Sequence, residues 1–222
     1  LGPRLDALYQ WIAQAQRPQT SDDCMQTSDD CMQTSDNCLQ TSDNRMQPYD
    51  NLWDCCCDHG YLGIHLLKNA LCPRVHLVDQ ASHLIDALHP RMATYGITGY
   101  RALSADASEL RFAEQQTHLI IIAGVGGEHT IDIVRAIIAN HPHQSLDFMF
   151  CPTTTQFDLR EYLAQAGFQL LHETLVSEKG REYEVICVRH TGEHVSGCRV
   201  SRTGEHWTPS DPAHRRYLTK LI

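Results

Sequence analysis

The chain has 222 residues, 42% of them hydrophobic, enough for one sizeable α/β domain, and its formal net charge is −9. That charge argues against a strongly basic nucleic-acid binder, although residues 20–50 hold seven Asp against one Arg, a net −6, and leave −3 for the rest. No run of eighteen apolar residues exists, which argues against a membrane span, and ten cysteines without a secretion signal point to a reducing, cytoplasmic setting.

Leu5, Leu8, Trp11 and Ile12 recur at helical spacing, so residues 1–18 read as an N-terminal segment with an amphipathic helix over 3–16. Between Gln19 and Met46 come four near-copies of a seven-residue unit, in which Met25, Met32, Leu39 and Met46 return once each. A coiled-coil seam needs two apolar positions per heptad, and the recurring Thr-Ser-Asp favours caps and turns over helix interiors. Residues 19–47 are therefore expected to form a low-complexity insertion outside the core, with cysteines spaced too widely for typical zinc ligands.

From 48 to 190 the texture alternates. NLWDCC, RVHLVD, YRALSA, HLIIIAG and LDFMFC are apolar runs of strand length, and between them lie helical stretches such as YLGIHLLKNAL, HLIDALHPRMATYG and HTIDIVRAIIANH. Such alternation predicts a mostly parallel sheet with helices on both faces. After REYLAQAG, two strands about Lys179-Gly180 predict an antiparallel hairpin. The whole reads as an α/β, Rossmann-like sheet of the class I methyltransferase type, closed by a C-terminal hairpin. Residues 191–222 form a tail that repeats TGEH at 191–194 and 203–206 and ends in a short helix near HRRYLTKLI; no function follows from it.

In a doubly wound sheet, ligands bind in the crevice at the strand ends. Asp54-Cys55-Cys56-Cys57 ends the first strand and Tyr61 begins the first helix, so Asp58-His59-Gly60 lies where a cofactor would pass. The second strand ends in Asp79, where an acidic side chain accepts hydrogen bonds from ribose hydroxyls. Asp106 follows the third strand, placed to meet an adenine amino group, and the fourth ends in IAGVGGEHT, whose glycines admit close approach of a ligand. The absence of G-x-G-x-x-G after the first strand speaks against an NAD-binding oxidoreductase.

The ordered set D-x-x-x-D-H-G-Y-L, V-D, I-A-G-V-G-G, C-P-T-x5-L-R-x-Y-L and E-x-G-R-x-Y-E-V-I resembles the bacterial tRNA (adenine(22)-N1)-methyltransferase family over roughly Arg4 to Val188. The resemblance implies a class I fold that binds S-adenosylmethionine (SAM) and methylates adenine N1, with tRNA as partner. On the matching positions it implies a cofactor site of Asp54, Cys56, Asp58, His59, Gly60, Asp79, Asp106, Ala123 and Gly124. Gly126, Gly127, Pro152, Thr153 and Arg160 fall on the substrate side, and Asp58 is the candidate acceptor for a proton from the exocyclic amino group. Three departures stand out. Cys56 takes the place of a motif glycine, Cys151-Pro152-Thr153 stands for Gln-Pro-Asn, and residues 191–222 are too few for the C-terminal coiled coil of the longer members.

Other readings of the same residues remain open. Cys55, Cys57 and His59 make a zinc site chemically conceivable, but they lack C-x2-C spacing, and small cysteines filling a buried strand are the expectation, with no metal. Strand alternation would place Cys56 on the face opposite Cys55 and Cys57. Asp58 would serve as an N-cap of the following helix, and Arg160 would make an ordinary surface ion pair. The alternatives in function are a methyltransferase of the same fold acting on a small molecule or protein, and a non-catalytic binding module.

Overall fold

The structure, a computed structural model, describes residues 1–17, 48–192 and 199–221. Helix α1 (Pro3–Ala15) comes first, and the predicted repeat insertion lies outside the described residues. Then β1 (Asn51–Cys55), α2 (Tyr61–Lys68), β2 (Arg74–Asp79), α3 (Ser82–Thr94) and β3 (Tyr100–Ser104) alternate. A 3-10 turn (Ala107–Glu109) leads to β4 (His118–Ala123), α4 (Gly127–Asn140), β5 (Leu146–Cys151) and α5 (Gln156–Gln165). The chain closes with β6 (Gln169–Glu178), β7 (Arg181–His190) and α6 (Pro212–Leu221).

The strands form one sheet in the order β3-β2-β1-β4-β5-β7-β6. The first five are parallel, and β7 pairs antiparallel with both β5 and β6. This is the Rossmann-like sheet with its C-terminal hairpin that the sequence predicts. Lys179 and Gly180 turn the hairpin with φ of 51° and 76°. Positive φ at both central residues gives the turn the twist that two paired strands need.

The central strands are buried on both faces, which explains why they read as continuous apolar runs. On one face Leu8 and Ile12 of α1 join Leu62 and Leu66 of α2 and Leu88 and Met92 of α3 over Leu52, Leu77 and Ile121. On the other face Val134 and Ile137 of α4 and Leu159 and Leu163 of α5 pack on Ile120, Ile122, Phe148 and Phe150. The order reverses between β1 and β4, the switch point at which such sheets open a crevice.

Within the predicted tail, the described residues 199–221 include a helix that packs on the hairpin. Tyr217 of α6 is buried, and its hydroxyl donates to Glu184 of β7 at 2.6 Å. Arg216 pairs with Glu182 at 2.6 Å.

Candidate functional site

A cavity of about 470 Å³ opens at the C-terminal ends of β1, β2 and β4. Of the predicted cofactor residues, Asp54, Cys56, Asp58, His59, Asp79, Ala123 and Gly124 line it. Val78, Gln80, Ala105 and Ala107 continue its wall toward β3, and His129 and Ile133 reach it from α4.

The loop after β1 owes its shape to backbone handedness. Cys56 has φ of 58°, Asp58 46° and Gly60 67°. The left-handed region is easy for Gly, tolerable for Asp and unfavourable for Cys. A glycine in the resembled motif therefore suits position 56 because the chain turns left-handed there. The turn also corrects the expected alternation: Cys55 packs with the α4–α5 face, Cys56 leans on that same face, and Cys57 joins the α2–α3 core. A strand alternates only while it stays extended, and β1 ends at Cys55. Burial pushes all three thiols above their usual range, with Cys56 at about 11.

The expected helix cap also moves. Gly60 is the N-cap of α2 and no side chain caps it. The orphan N–H of Gly63 donates instead to the buried Asp54 carboxylate, at 3.2 Å. Gly63 permits this because a Cβ there would collide with Leu77. Burial raises the Asp54 pKa to about 7, the Gly63 hydrogen bond opposing and the neighbouring Asp79 charge adding to the rise. Asp58, released from capping, has a side chain 65% exposed on the cavity rim, where Oδ1 meets His59 Nδ1 at 2.6 Å. Gly60 is required for packing, since a Cβ would sit 2.6 Å from Leu88.

Asp79 organises the loop from β2. Its Oδ2 accepts the Asp58 N–H at 3.1 Å and its Oδ1 accepts the Ala81 N–H at 3.0 Å. Each carboxylate oxygen retains a further lone pair for a ligand hydroxyl. Asp106 begins the 3-10 turn and accepts from Ser108 N at 2.8 Å; hydrogen bonds from the Ser108 side chain and then its backbone N–H hold the Asp106 carboxyl below the usual range. It flanks the cavity between Ala105 and Ala107 without lining it.

The predicted substrate-side residues form a second group. Thr153 N donates to Val125 O and Gly127 N to Thr154 O, each at 2.9 Å, so the loops after β4 and β5 are tied together beside Gly124 and Val125. A Cβ on Gly127 would run into the Thr155 backbone, which accounts for the glycine. Gly126, Gly127, Pro152 and Thr153 do not themselves line the cavity; they follow its wall residues Gly124 and Val125 or are tied to them. Arg160 is a correction. It is fully buried, bound to Glu173 and Glu184 and donating to Ser201 O at 2.8 Å, so it makes no surface ion pair and does not line the cavity.

Sequence reasoning missed the contribution of α1. Arg4 and Leu5 line the cavity, although nothing in the local pattern 3–16 distinguishes a site wall from an ordinary amphipathic helix. It also missed Tyr61, whose ring is approached by Arg91 at 5.4 Å and by the His59 ring at 5.7 Å. Exposure of an aromatic residue at a helix start was the available signal, and only the fold reveals it.

A sequence profile described as a methyltransferase domain matches residues 36–186. Among solved structures, Streptococcus pneumoniae Sp1610, described as a candidate tRNA (m1A22) methyltransferase, is 21% identical, with 78% of each chain covered and a TM-score of 0.63. That protein has also been solved in complex with SAM. A protein of the NADB-Rossmann superfamily from Streptococcus agalactiae is 24% identical over 74% of this chain and 73% of its own, with a TM-score of 0.59. The B. subtilis m1A22 tRNA methyltransferase TrmK is 20% identical over 64% of this chain and 60% of its own, with a TM-score of 0.56. At such identities the likeness is one of fold. No curated protein matches the chain significantly.

Proposed function

Because the chain belongs to the methyltransferase-domain family, we propose that it transfers a methyl group from SAM to N1 of an adenine in tRNA. The observation that carries this reading is the cavity at the sheet's switch point, with Asp79 at the end of β2 facing the left-handed loop after β1. The size is that of a cofactor cleft, and its acidic lining suits a ligand with positive charge at a sulfonium and an ammonium. Asp79 would hold the ribose hydroxyls, and Asp54 and Asp58 would face the cationic part.

SAM, when bound, supplies an electrophilic methyl on a good leaving group, so the protein's work is positioning and the exclusion of water. Adenine N1 lies on the Watson–Crick edge, and the base must leave its stack to reach the cavity. Methylation there gives the base positive charge, which the Asp58 carboxylate on the rim would offset by accepting a hydrogen bond or a proton from the exocyclic nitrogen. The similarity in fold to proteins described as m1A22 tRNA methyltransferases, together with the ordered motifs, favours tRNA over other acceptors.

The test is calorimetric binding of SAM, then methylation of undermodified tRNA with the product nucleotide mapped. Asp58→Ala is expected to retain the fold, because Gly60 rather than Asp58 occupies the N-cap position, and to lose at least about tenfold in methyl transfer at saturating SAM. SAM binding with methylation of a small molecule or protein, and none of tRNA, would replace the proposed acceptor.

A further inference from the structure

An RNA backbone is a polyanion, and the cavity that a base must enter is lined by Asp54, Asp58 and Asp79. Cations beside the mouth are needed to offset that repulsion. Residues 199–221 hold five Lys or Arg against two Asp or Glu, a net +3 in a chain of −9. Three of the five, Arg215, Arg216 and Lys220, lie on α6, and all three are exposed. Lys179 and Arg181, also exposed, stand at the tip of the β6–β7 hairpin. Among the described residues, Lys179, Arg181, Arg215 and Lys220 make no ion pair, and Arg216 stays 57% exposed while bound to Glu182.

Position matters as much as charge. Tyr217 is buried with its hydroxyl on Glu184, and Arg216 Nη2 donates to Glu182 at 2.6 Å, so α6 is pinned to β7 at two points. Asp211 is occupied at the helix start, where it accepts from the Ala213 and His214 N–H groups at 2.7 and 3.2 Å. The last turns of α6 are left cationic. β7 pairs with β5 from Leu146↔His190 to Phe150↔Ile186, so residues 181–185 project past the strand end, on the edge where the cavity opens. Arg4, a wall residue of that cavity, donates to Glu178 and covers the Tyr183 ring at the same tip. Glu182 and Glu184 alternate with Tyr183 and so meet α6 on the other face of the hairpin. We propose that α6 and the hairpin tip are the docking surface for the phosphate backbone of the RNA substrate, and that they seat the RNA beside the cavity mouth. This assignment rests on the tRNA reading above.

The chain has three lysines, Lys68, Lys179 and Lys220, and two of them lie on this surface. Amine acetylation of the full wild-type chain, read by mass spectrometry with and without an unmodified tRNA transcript, is expected to show protection of Lys179 and Lys220 but not of Lys68. Arg215→Gln combined with Lys220→Gln is expected to weaken tRNA binding about tenfold and to reduce the salt dependence of log affinity by a slope of about one to two. Its affinity for S-adenosylhomocysteine and its melting temperature should not change. The matched pair Arg74→Gln with Arg101→Gln, on β2 and β3 at the other edge of the sheet, is expected to alter tRNA binding by less than about twofold. Equal losses from the two pairs would overturn the assignment, because net charge alone would then account for them. No loss from either pair, or protection of Lys68 in place of the other two, would overturn it as well. Wild type that methylates tRNA with Lys179 and Lys220 unprotected removes the surface and keeps the reaction. Wild type that binds tRNA with both protected but transfers no methyl keeps the surface and removes the reaction, and wild type that binds no tRNA removes both.

Discussion

At Cys56 the backbone stands at φ 58°, a left-handed conformation that costs an L-residue roughly 1–2 kcal/mol and costs glycine little. Cys56→Gly is expected to raise stability by up to about 1 kcal/mol, once the added chain entropy of glycine in the unfolded state is subtracted. S-adenosylhomocysteine affinity should hold or improve. Cys57→Gly, which empties a buried position among the α2–α3 residues, should lower the melting temperature instead. Equal losses in the two variants would show that handedness does not govern position 56. Asp54 makes a second residue-scale prediction. Its folded pKa of about 7 lies above the unfolded 3.8, so the unfolded state binds fewer protons between those values and Asp54 erodes stability as pH rises through that window. Buried His76, lowered to about 4 mainly by burial, acts in the opposite sense as pH rises toward its ordinary 6.5. Asp54→Asn should therefore make the melting temperature climb more steeply than wild type from pH 4 to 7. A difference between the two proteins that is constant with pH would exclude titration of Asp54 in that range.

Among the elements, the hairpin, α5 and α6 are joined by one polar hub. Arg160 of α5 binds Glu173 of β6 and Glu184 of β7, all three with almost no exposed side chain. Burial works against the Arg160 charge, but the two carboxylates outweigh it and raise its pKa. The segment before α6 adds the Glu205 and His206 N–H groups, which donate to Glu173 at 2.6 and 2.9 Å, and Tyr217 completes the Glu184 side. Arg160→Met removes the guanidinium that both buried carboxylates share, at a cost of about 3–5 kcal/mol. Residues 199–221 should then become sensitive to limited proteolysis. Tyr217→Phe, which deletes one hydrogen bond and keeps the ring, should cost about 1–3 kcal/mol and leave the segment protected. A mild melting change in Arg160→Met would show that the hub contributes little.

For the molecule as a whole, the chain leaves α1 and re-enters β1 at a clasp. The Gln16 side chain accepts the Tyr49 N–H at 2.6 Å and donates to the Tyr49 carbonyl at 3.1 Å, while the Tyr49 hydroxyl donates to Asp147 at 2.7 Å. Residues 17 and 48 are thereby held close, and a short link can replace what lies between them. Deleting Gln19 to Met46 is expected to leave S-adenosylhomocysteine affinity unchanged and to shift stability by about 1 kcal/mol or less, since loop length changes closure entropy only slowly. A large loss on melting would assign the repeat a packed role.

The sheet class and the hairpin turn were legible in the chain itself, because β-α alternation and Lys179-Gly180 are local signals carried by burial and handedness. The position of Asp79 at a strand end was equally readable. Three matters needed the tertiary structure. Arg160 looks like an ordinary helix residue until two glutamates from separate strands close on it, and the charge of a side chain does not say whether it is buried. The cap of α2 passes to Asp54, nine positions before the N–H it receives, because Gly63 lets the helix approach the strand. Arg4 becomes a cavity wall only when α1 docks on the C-terminal hairpin, a contact across almost the whole chain. Local sequence determines which elements form and how they turn, since those energies act between near neighbours. Which side chains meet at a site depends on contacts between distant segments, and those exist only once the core has packed.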